Sequence, residues 1–141
     1  MDGDKPDRTS GPRVVLAQGT TKWDGVCNCW SIEWMVENRG VDEVAIWAAR
    51  LPHGQFKSEE QLFDPALELR PGEQIPLRTC VRCNEPPGPV TENAFVILAV
   101  NWVGEKWRIF VRLCVAVAED GKPQTETELI TAQKVGFSGV A

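Results

Sequence analysis

The stretch 29–37 alternates without a break: Trp30, Ile32, Trp34 and Val36 fall on one side, and Ser31, Glu33 and Glu37 on the other. A two-residue period marks a strand with one buried face, because successive side chains leave a pleated backbone on opposite sides. The same period recurs from residue 13 to about 118, in short apolar runs parted by Gly, Pro, Asn and Asp. Strands are expected at 13–17, 29–37, 44–51, 66–69 and 75–81, with turns roughly every eight to twelve residues, as in a sandwich. Helical spacing is almost absent. Only 58–63 reads as a single helical turn, stopped by Asp64-Pro65. The expected fold is all-β, an antiparallel sandwich of about seven to nine strands.

The strongest local signal is a hairpin around Gly104-Glu105, where glycine at the first central position suits a type II′ turn. Setting Val103 opposite Lys106 pairs Trp102 with Trp107, Val100 with Ile109, Leu98 with Val111 and Val96 with Leu113, so one face becomes wholly apolar. The other face sets Asn101 against Arg108, Ala99 against Phe110, Ile97 against Arg112 and Phe95 against Cys114. That is less polar than a solvated face. The segment 125–137 is its expected cover. The alternative is a contact surface carried by Ile97, Arg108, Phe110 and Arg112.

Two turn motifs, Val36-Glu37-Asn38-Arg39-Gly40 and Leu69-Arg70-Pro71-Gly72-Glu73, carry a resemblance. The chain resembles bacterial immunoglobulin-like β-sandwich domains of the adhesion and cell-surface type over residues 14–117. The resemblance implies a sandwich whose second and fifth strands are antiparallel neighbours, and a role as spacer or binding module. The chain departs from that pattern in its paired cysteines and its single-domain length.

Those cysteines form two short motifs, Cys27-Asn28-Cys29 and Cys80-Val81-Arg82-Cys83, with Cys114 apart. If the second and fifth strands are neighbours, Cys27, Cys29, Cys80 and Cys83 converge at one end of the sandwich. Three outcomes compete: a structural zinc site, one or two disulfides, and reduced cysteines acting as small hydrophobes. Structural zinc on all four is the favoured expectation. Cys114 has no sequence partner and is expected to be simply packed.

Function classes follow by subtraction. With 15 Lys+Arg against 20 Asp+Glu, the chain is acidic and has no basic cluster for a nucleic-acid backbone. No apolar run is long enough for a membrane helix. The charged start lacks a leader pattern, so a cytoplasmic location is expected, with a secreted or surface-exposed one if the chain is trimmed. Residues 1–12 are expected to form a disordered tail, and 13–138 one domain.

A redox role for Cys80 and Cys83 needs a helix start that Asn84-Glu85-Pro86-Pro87-Gly88-Pro89 does not supply. The one histidine, His53, sits in a Pro-His-Gly turn, and no phosphate loop or nucleophile elbow is present. Six tryptophans invite a carbohydrate-binding reading, but Trp30, Trp34, Trp102 and Trp107 are assigned inward and Trp47 to a buried mid-strand position. That leaves Trp23 in the loop beside the cysteines. The expectation is a non-catalytic module that binds another protein or a second copy of itself. Its surface is either the half-apolar face or the loop end bearing Trp23 and Arg82. Thiol-based redox and carbohydrate binding are the alternatives.

Overall fold

The structure, a computed structural model, describes residues 11–84, 86–88 and 90–135. Among the described residues there are eight strands: β1 (Val14–Asp24), β2 (Cys29–Asn38), β3 (Val44–His53), β4 (Phe56–Leu69), β5 (Gln74–Cys83), β6 (Val90–Trp102), β7 (Glu105–Val117) and β8 (Pro123–Lys134). Every neighbour is antiparallel, in the order β1-β2-β5-β4-β3-β6-β7-β8. No helix among the described residues is long and apolar enough to cross a membrane.

The sheet curls into a nearly closed barrel and does not part cleanly into two layers. The reason is β4. Along most of its length it pairs with β3, yet its first residues, Phe56 and Lys57, pair with Cys83 and Arg82 of β5. One strand thus belongs to both halves. The segment 58–63, expected as a helical turn, lies inside it as strand. Its two faces are both largely polar, which hides the alternation. Asp64-Pro65, a cis peptide, lies where β4 slips against β3, in a stretch opposite Trp47.

The opposite seam, between β1 and β8, is bridged by side chains. The Gln18 amide nitrogen donates to the Pro123 carbonyl at 3.0 Å, and its oxygen accepts from the Thr125 N–H at 2.7 Å and the Thr125 hydroxyl at 2.9 Å. Thr127 Oγ1 donates to the Leu16 carbonyl at 3.0 Å. Between Gln18 and Thr21 the pairing of β1 with β2 shifts, and Gly19 crosses so close that a Cβ there would lie 2.8 Å from the Glu33 carbonyl oxygen.

The interior is apolar and continuous, built from the inward residues of every strand except β8, which adds Ile130 and Ala132 at its margin. Trp34 is fully buried and donates to Thr79 Oγ1 at 2.8 Å. Trp102 and Trp107 are also buried and meet edge to face with ring centres 5.5 Å apart, while Trp30 packs half-buried against the core. Gly11 and Pro12, counted with the tail by sequence, are buried, and a Cβ on Gly11 would run into the Trp107 ring. The rest of that tail, and the expected domain end at 138, lie outside the described residues.

The two turn motifs meet each other. Asn38 is fully buried; its Nδ2 donates to the carbonyls of Asp42 at 2.9 Å and Leu69 at 3.0 Å, and its Oδ1 accepts from the Gly40 N–H. Its backbone also exchanges bonds with Glu73 and Gly72. One side chain therefore ties the turn after β2 to the turn before β5.

Three local expectations change. The β6–β7 turn is Val103-Gly104, with φ of 49° and 72°, so Trp102 pairs with Glu105 and Val100 with Trp107. Positive φ at both central residues is the type I′ pattern, whose twist suits a two-residue hairpin. The register moves by two residues, which preserves the pleat, so the apolar face is the expected one. β8 does not cover the other face but pairs with the edge of β7. That satisfies the edge's backbone groups and brings Ile130 and Ala132 to the core. Trp47 is only half-buried: Val44 and Ile46 face the core, so alternation sends Trp47 to the other side, and the bulge that follows returns Ala49 and Leu51 to the core.

Candidate functional site

The cysteine end is built by the β1–β2 loop and the last turn of β5. Asp24 shapes the loop: its Oδ1 accepts from the backbone of Val26 at 3.0 Å and of Cys27 at 3.4 Å. Asn28 follows with a left-handed φ of 53°, a conformation asparagine tolerates better than most residues. The curl shortens the reach from Cys27 to Cys29. Across the sheet, β2 and β5 run antiparallel with Trp30 beside Val81 and Ser31 beside Cys80, as the neighbour relation expected of the second and fifth strands requires.

The sulfurs of Cys27, Cys29 and Cys80 all lie within 4.8 Å of one another. Cys29 and Cys80 stand at disulfide distance, with Cα atoms 5.9 Å apart and a sequence separation of 51. A crosslink closing a loop of that length restricts the unfolded chain by roughly 4 kcal/mol. Cys83 does not join the three. Its separation from Cys80 is odd, so the pleat sends it to the other side of β5, where it sits half-buried against the core next to Phe56. The register therefore gathers three of the four expected sulfurs.

A groove of about 310 Å³ opens beside the three sulfurs, where β4 parts from β5, and Lys57, Glu59 and Arg82 line it. Arg82 shares the outward side of β5 with Cys80. Glu59 is hidden from the sequence because 58–63 reads as a helical turn. The two-residue turn Gly54-Gln55, which sets His53 opposite Phe56, was the available hairpin signal. The His53 side chain lies outside the described residues. The charge of the Asp24 carboxylate, with burial and a hydrogen bond adding to it, pushes the Cys27 thiol above its ordinary value. A thiol held protonated is a weak nucleophile.

Trp23 is 55% exposed and meets Trp30 edge-on at 5.2 Å. It borders a second, polar groove with Lys22, Glu33 and Arg78. A single indole is presented there, but from the end of β1, where Trp23 pairs with Trp30, and not from the loop in which it was expected.

The other candidate surface is the outer face of β3, β6, β7 and β8. Here Ile97 pairs with Phe110 and faces Arg50 on its other side, Ala99 pairs with Arg108, and Phe95 with Arg112. The four residues singled out from sequence thus share one face, but in different pairs. Ile97 is 9% exposed, Phe110 and Arg112 are half-buried and Arg108 is exposed. At the flanks Leu62 and Leu129 are 65% and 48% exposed. Every described element is a strand of this one sheet, so none is left to lie across the face. Near its rim Arg112 approaches Glu128 at 3.7 Å, and Cys114 donates to the same carboxylate at 2.8 Å. That hydrogen bond, with burial and the charge of Glu128, pushes the Cys114 thiol up to about 11.

A scan against protein-family models finds no match to this chain, and a search of curated proteins finds none either.

Proposed function

We propose that this chain is a non-catalytic protein-binding module of immunoglobulin-like build, that its contact surface is the outer face of β3, β6, β7 and β8, and that its partner is a second copy of itself. The observation that carries this reading is the face itself. Phe95, Ile97, Ala99 and Phe110 form its centre, arginines stand among them, and Leu62 and Leu129 flank it in the open. An apolar centre with arginine and a polar rim is the usual make-up of a contact surface.

The build is supported by strand order. β1-β2-β5 and β3-β6-β7 are contiguous sets, as the corresponding strands of an immunoglobulin sandwich are. The Asn38 link between the two turn motifs supports it too. Self-association is favoured by charge. Arg50, Arg108 and Arg112 lie on β3 and β7, while Glu126 and Glu128 lie on β8. Both signs of charge thus share one face, as a surface that pairs with its own copy requires.

The rival readings find less support. Cys80 and Cys83 sit on opposite sides of β5, so they do not make a dithiol pair, and one exposed indole is a poor sugar platform. The cysteine end works in this proposal as a clamp on β2 and β5. In an oxidising compartment the clamp is a disulfide, and the chain is surface-exposed or secreted; in a reducing cytoplasm it is a metal site.

Sedimentation and light scattering test the reading. The wild-type chain is expected to run as a dimer at tens of micromolar, and Phe110→Glu or Leu129→Glu to run as a folded monomer with an unchanged far-UV spectrum. A wild-type chain that is monomeric at every concentration overturns self-association.

A further inference from the structure

We infer that, once its sulfurs are reduced, the cluster of Cys27, Cys29 and Cys80 binds one thiophilic d¹⁰ cation, zinc(II) in the first instance, through three thiolates, with the fourth coordination position open to the groove between β4 and β5. This goes beyond the protein-binding reading and stands or falls separately from it.

Distance is the first ground. With Zn–S bonds of about 2.3 Å, the sulfurs of a tetrahedral site lie about 3.8 Å apart. The three sulfurs here lie within 4.8 Å of one another, so after reduction the Cys29–Cys80 pair opens and Cys27 closes in by side-chain rotation. Access is the second. Cys27 and Cys80 are exposed while Cys29 is buried, so a cation enters from the groove and not through the core. The groove, at about 310 Å³, admits a partly hydrated ion.

Charge is the third. Three thiolates on a divalent cation leave one net negative charge. Lys57 and Arg82 line the same groove and offset it, against the carboxylates of Glu59 in the groove and Asp24 beside Cys27. Cys83 takes no part, since the pleat places it on the core side beside Phe56.

The site shares two sulfurs with the Cys29–Cys80 pair, so disulfide and cation exclude each other. Reduction by a low-molecular-weight thiol consumes two RSH and yields two protein thiols and one RSSR. Zinc binding then releases the three thiol protons to solvent. The same residues thus form a covalent clamp in one redox state and a coordinate clamp in the other.

The test uses the full chain, reduced with a phosphine, freed of reductant under anaerobic conditions, and titrated with zinc against a chromophoric chelator. Native mass spectrometry counts the metal, and cobalt(II) reports thiolate charge transfer. One zinc per reduced chain is expected, with none after oxidation. Cys27→Ser should weaken binding by more than about tenfold, a loss that even outer-shell changes produce, while Cys83→Ser keeps wild-type affinity. Because Cys27 is exposed, its substitution leaves the fold intact, which a parallel melt checks. No zinc on the reduced chain, equal binding after oxidation, or an equal loss in Cys83→Ser each overturns the proposal.

Discussion

Asn38 makes three side-chain hydrogen bonds at a fully buried position, and two of them donate to carbonyls. Asn38→Asp puts a carboxylate oxygen where that donor stands, facing the Leu69 and Asp42 carbonyls. The expected cost is about 2–4 kcal/mol, read as a lower urea midpoint at unchanged slope. Arg39→Ala, next door and exposed, should cost almost nothing. At this scale the sequence was readable wherever a side chain's place follows from parity alone. Trp30, Trp34, Trp102 and Trp107 turn inward because their positions share the parity of apolar neighbours. The same rule separates Cys83 from Cys80, but the expected four-sulfur cluster was built from which strand ends meet, and that relation ignores the pleat. The bulge after Trp47 breaks parity outright, and nothing in Ala45-Ile46-Trp47-Ala48-Ala49 announces it.

Elements are readable when one face is wet and the other dry. The β6–β7 hairpin met that condition, so its faces were legible although its register was not. A register shifted by two buries the same residues, and only the turn decides between the two. The turn chosen puts Val103, a β-branched residue, at φ 49°, where left-handed backbone crowds its Cβ. Val103→Asn is therefore expected to raise stability by about 0.5–1 kcal/mol, since Asn-Gly is the favoured type I′ pair and the side chain is half-exposed. Thermal melting of the variant checks it, and no gain would mean the turn is held by its flanks. β4 failed the same condition. Its run of Lys57, Ser58, Glu59, Glu60 and Gln61 is polar on both sides, because beyond Lys57 one edge of the strand leaves the sheet's interior behind.

For the whole molecule, the neighbour relation of β2 and β5 was legible through the resemblance, while barrel closure was not. Gln18, Thr125 and Thr127 read as ordinary solvent-facing residues, and only their positions across 105 to 111 residues of chain make them a seam. Gln18→Ala removes its three bonds across that seam, at an expected cost of about 1–3 kcal/mol. Amide exchange should quicken in β1 and β8 and stay slow where β2 pairs with β5. Uniform quickening would show that the barrel opens only as a unit. The seam also bears on how the molecule is made. β1 is synthesised before the other strands of the sheet and β8 after them, so a growing chain carries β1 with one edge unmet until the last strand of the barrel has been translated. During that interval β1 is the place where a second nascent copy, or a holding chaperone, finds an open strand.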